Sequence, residues 1–142
     1  MAEDFYHYTL IRDEMFKWMN LPHPVAMKGL TESDDAIKKA KSEWYLGPML
    51  LPAVMKVKSA QTRIEQRIAY LRIIEAVRLF AHEHGGRLPA TLDEIKLPLP
   101  ADPFTGKPFE YRVKDGVATL HGEPPYKDAP PQNRYYEVRV RK

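Results

Sequence analysis

The stretch HGGRLPATLDEIKLPLPADPFTGKPFEYR, residues 84–112, decides how this chain folds. It is crowded with glycine, proline and aspartate, and it separates a helical pattern from an alternating one. His82 and His84 lie near the negative end of the preceding helix dipole, and Gly85 or Gly86 offers the left-handed residue that ends a helix. Thr91 followed three residues later by Glu94 has the form of a capping box, with Asp93 as a further first-turn charge. Asp102-Pro103 then reads as a type I turn, its carboxylate accepting the backbone N–H two residues on. Gly106 supplies the conformation that lets the chain reverse before Pro108. The stretch is predicted to be a connector in which Asp102, Pro103, Gly106 and Pro108 form a structural turn motif.

Upstream, residues from about Ala53 to His84 contain neither glycine nor proline. Val57, Ile64, Ile68, Leu71, Ile74, Val77 and Ala81 follow steps of three and four, which predicts one long helix with that series as its packing stripe. LGPMLLP (46–52) is expected to be a break, because its prolines lack the N–H a helix needs. Residues 3–19 predict a first helix, ended by LPHP (21–24), and a second helix is expected to start at Ser33 as a hydroxyl cap. Downstream, FEYRV (109–113) and VATLH (117–121) alternate around Asp115-Gly116, a pair suited to a tight hairpin. YYEVRV (135–140) alternates again. The expected fold class is α+β: the long helix packed on a three-stranded antiparallel meander, with two additional N-terminal helices. Residues 1–47 would form a helical extension and 48–142 the main body, together one compact unit.

The totals narrow the function classes. The 142 residues suit one domain, and 44% hydrophobic with 29% charged residues is ordinary for a globular protein. Twenty-two basic against 19 acidic residues give a net charge of +3, too mild to predict nucleic-acid binding. There is no cysteine, which excludes disulfides and thiolate chemistry. No apolar run approaches the ~20 residues a membrane helix requires, and the N-terminus has no signal-peptide pattern. Membrane attachment would need a segment outside this chain.

Each candidate site has a plainer explanation. His82 and His84 stand two apart and so point away from each other on a helix, whereas paired ligands stand three or four apart. His7, His23 and His121 are scattered. In NRYYEVRVRK (133–142), Tyr136, Val138 and Val140 would share one face, with Arg139 and Arg141 on the other guarding a sheet edge. No nucleophile elbow, phosphate loop or paired zinc histidines occur, so no enzyme, cofactor or metal is expected. Phe5, Tyr8, Met15, Trp18 and Trp44 make a possible partner surface, should the first two helices leave their apolar stripe uncovered.

The long helix, the Gly86, Pro89, Leu92, Ile95 series, and then Asp102, Pro103, Phe104, Gly106, Pro108, Phe109 and Tyr111 resemble the C-terminal half of type II secretion major pseudopilins. Thr105 is one residue more than that pattern has. The match is closer to a group of bacterial envelope proteins that share the DPFTGKPF-Y turn and to which no activity is attached. It covers roughly residues 48–140. The resemblance implies a non-enzymatic, extracytoplasmic protein of the cell envelope that works by assembly or by binding a protein partner. The chain departs from pseudopilins in having no prepilin peptidase site with an apolar helix behind it. Its late loop holds only Glu123 and Asp128 where pseudopilins carry several calcium-binding aspartates. The alternative is a soluble accessory or regulatory binding module with a groove between the N-terminal helices and the long helix.

Overall fold

The computed structural model describes residues 2–39, 46–124 and 135–139, with side chains described from Thr9 onward except at positions 11, 36, 37, 39 and 46–52. Three helices come first: α1 (Ala2–Met19), α2 (His23–Lys39) and α3 (Leu46–Glu83). A short 3-10 turn (Leu92–Glu94) and three strands follow, β1 (Glu110–Lys114), β2 (Val117–His121) and β3 (Tyr135–Arg139). The strands form one antiparallel sheet in the order β1-β2-β3. The fold is therefore α+β with a meander. The chain divides into two compact units, Met1–Thr62 and Arg63–Lys142, and α3 contributes residues to both.

In the first unit α1 and α2 pack together. Gly29 makes their approach possible: a Cβ there would overlap the indole of Trp18. Trp18 Nε1 donates to Glu14 Oε1 at 2.9 Å, and the Lys17 ammonium sits 4.5 Å from the Trp18 ring centroid. Ala26 and Leu30 of α2 are fully buried. Lys58 is buried too, and its Nζ donates to the carbonyl of Met19 at 3.1 Å. That carbonyl ends α1, where a cation satisfies an acceptor with no partner inside the helix.

The helix boundaries correct three expectations. The second helix begins at His23, ten residues before Ser33, because Pro24 falls in its first turn, where a missing N–H costs nothing. The carbonyl of Pro22 accepts the N–H groups of Val25 and Ala26 to start it. Ser33 lies inside the helix and its Oγ donates back to the carbonyl of Gly29 at 2.9 Å, so it caps nothing. Residues 46–52 are no break: α3 already includes them. Pro48 again occupies a first turn, and Pro52 forfeits one backbone bond in a 38-residue helix that is otherwise free to form.

In the second unit, Ala69, Tyr70, Ile73, Ala76, Val77 and Phe80 from α3 meet Phe109, Ala118, Leu120 and Val138 from the sheet region. Register places Tyr111 opposite Leu120, Leu120 opposite Tyr136, and Ala118 opposite Val138, so the apolar side chains share one face. The ring of Tyr70 lies between Phe109 and Tyr136, with centroids 4.7 and 4.6 Å away. At the end of α3 the Gly86 N–H donates to the Ala81 carbonyl at 2.7 Å with Gly85 at φ 63°, a Schellman stop. Asp115 and Gly116, at φ 51° and 75°, make the predicted hairpin turn.

The predicted packing stripe of α3 is corrected. Ile64, Ile68 and Leu71 are 61%, 53% and 59% exposed, and Val57 is exposed as well. The later part of the series holds, with Val77 and Ala81 buried and Ile74 packed against the core, but Ile64, Ile68 and Leu71 lie on the side away from the sheet. The reason is that α3 carries apolar residues on both sides, and its inward face also includes Gln66, which a hydropathy pattern does not count.

Candidate functional site

Two places in the second unit gather the side chains of interest: the turn at Asp102, and the outer face of α3. Asp102 is 2% exposed. Its Oδ1 accepts the Phe104 N–H at 3.0 Å, which is the predicted turn bond, and also Nε2 of Gln66 at 3.1 Å. Its Oδ2 accepts the Glu123 N–H at 2.6 Å. Gln66 Nε2 donates as well to the carbonyl of Glu123 at 2.8 Å. The main chain closes around the same residue, with Asp102 N–H donating to Lys107 O and Gly106 N–H to Asp102 O at 2.8 and 2.7 Å. Thr105, the extra residue, accepts the Lys107 N–H on its hydroxyl at 3.1 Å.

This carboxylate joins the turn, α3 and the segment after β2. Burying a charge is costly unless hydrogen bonds replace its water, and three donors do so here. Sequence spacing does not single out Gln66, because its partners lie 36 and 57 positions along the chain. The only hint was a polar residue in phase with Ala69, Tyr70 and Ile73. Beside the node, Tyr70 has its phenol pushed up, first by burial and next by the Asp102 carboxylate, while a hydrogen bond with the Gly122 backbone works the other way. Gly122 packs so closely that a Cβ would stand 2.6 Å from the Tyr70 hydroxyl and 2.7 Å from Phe109 Cε1. Both carboxylate oxygens of Asp102 are thus engaged by donors of the chain itself.

The capping box forms in part. Thr91 makes no side-chain cap bond. Glu94 Oε1 accepts the Ala90 N–H at 2.7 Å, and Arg87 Nη1 donates to its Oε2 at 3.0 Å. Those two donors, the Ala90 N–H first, hold the Glu94 carboxyl below the usual carboxylate range. His84 Nδ1 lies 2.7 Å from the Phe80 carbonyl, and its ring stacks on Phe80 with centroids 3.9 Å apart, so His84 finishes the helix; His82 is exposed. Among the described residues no group of three or more histidine, aspartate or glutamate side chains is placed to hold a metal ion. Arg139 is paired with Glu137 at 3.0 Å on the exposed side of β3, while Tyr136 and Val138 face in; Val140, Arg141 and Asp128 lie outside the described residues.

The suggested aromatic surface is only partly in view. Trp18 packs on α2 and Met15 is half-buried. Phe5 and Tyr8 belong to α1, but their side chains lie outside the described ones, as does the whole of Trp44. A different apolar surface stands out. Ile64, Ile68, Leu71 and Leu79 are spaced three, four or eight apart, so they share the outer face of α3, with Glu75 in phase. Alongside runs an open groove of about 500 Å³ lined by Leu71, Arg72, Glu75, Leu79, Leu97 and Pro98 among others. No family model, curated protein or solved structure matches the chain.

Proposed function

We propose that this chain is a non-enzymatic protein of the bacterial cell envelope, pseudopilin-like over residues 48–140, that acts by assembly or partner binding. The observation that carries the proposal is the second apolar face of α3. The sheet satisfies one side of the helix, and Ile64, Ile68, Leu71 and Leu79 remain in water on the other. Contiguous exposed apolar surface of this kind marks interaction sites in soluble domains. The order of parts supports the family reading: a long helix, a Gly-Pro-Leu segment, the Asp102 turn and a small antiparallel sheet. No helix among the described residues is long and apolar enough to cross a membrane, so an anchor would come from elsewhere in the gene product.

The test is to fractionate cells that make the native gene product and to sequence its mature N-terminus. A membrane-associated protein with an apolar segment ahead of Met1 is the expected result. A protein that starts at Met1 and remains in the cytoplasmic fraction would contradict the envelope reading and leave a soluble binding module in its place.

A further inference from the structure

No further inference is drawn: the strongest candidate, the exposed apolar face of α3 at Ile64, Ile68, Leu71 and Leu79 with the open groove beside Leu97 and Pro98, is an unpartnered surface, and nothing in the structure shows what covers it.

Discussion

Gln66 and Asp102, 36 positions apart, meet in the interior of the second unit, where Gln66 Nε2 donates to Asp102 Oδ1 at 3.1 Å. The contact converts a local turn into a tertiary tie, because the same Gln66 amide also donates to the carbonyl of Glu123. Asp102→Asn keeps the side chain's size but gives it one acceptor oxygen where there were two, and turns an amide N–H₂ towards either the Gln66 or the Glu123 donor. One buried donor is left without an acceptor, so urea denaturation should show a loss of about 2 kcal/mol. Gln66→Leu should cost a similar amount. The double variant should lose less than the sum, since the two side chains share one network. Strict additivity would show that the pair is not coupled.

Gly122 should tolerate no side chain. In Gly122→Ala the new methyl would meet the Tyr70 hydroxyl and Phe109 Cε1 at 2.6 and 2.7 Å, and both rings are held by the core. Displacing them should cost about 1–3 kcal/mol, seen as a lower thermal midpoint. In the first unit, Gly29→Ala should lower the midpoint through overlap with Trp18, and Trp18→Ala in the same chain should recover part of the loss. An unchanged midpoint in either alanine variant would contradict the close approach.

The two faces of α3 should respond differently to substitution. Ile73 is 1% exposed within the core, so Ile73→Ala should cost about 2–5 kcal/mol. Ile68→Lys on the outer face should change the stability of the monomer by no more than about 0.5 kcal/mol. Equal losses in the two variants, measured by denaturant titration at low protein concentration, would show that the outer face is packed within the chain.

This division of α3 is also where sequence reading fell short, and the physical cause is specific. Ile64, Ile68 and Leu71 form a helical series that looks like a core stripe, yet Ala69, Tyr70, Ile73, Ala76, Val77 and Phe80 form another on the opposite side. Pattern alone does not say which one a sheet will cover. The inward series also runs on through Gln66, acceptable inside only because Asp102 and Glu123 bond to it from distant positions. Proline misled for a related reason: at Pro24 and Pro48 it sits in the first turn of a helix, where the sequence looks like a break and the backbone loses no bond. Features governed by neighbours in the chain were legible. The Schellman stop at Gly85, the Asp115-Gly116 hairpin and the Asp102 turn all form where their residues predict.

Alkaline pH should loosen the second unit through its tyrosines. Burial, with a smaller contribution from the Glu94 carboxylate, pushes the Tyr111 phenol up to about 12 from an ordinary value near 10, and its hydroxyl donates to the Pro89 carbonyl at 3.0 Å. The folded value is above the unfolded one. The contribution to stability is therefore fully present below about pH 10 and is lost as pH rises towards 12. Tyr70 shifts in the same direction. The thermal midpoint should fall over that window, and Tyr111→Phe should fall less steeply. A midpoint flat from pH 10 to 12 would contradict the buried phenols.

The central claim is that the uncovered face of α3 is the working surface of this protein, and it is tested most directly by the native mass of the protein in gentle extracts of cells that make it. The comparison is between the natural chain and Ile68→Lys, once the variant's unchanged melting temperature has been established. The natural chain should run in a species heavier than the 16.5 kDa single chain, and Ile68→Lys should shift it towards that mass. If both run as the same single chain, or if both stay in the same heavier species, the outer face of α3 is not what the protein assembles through.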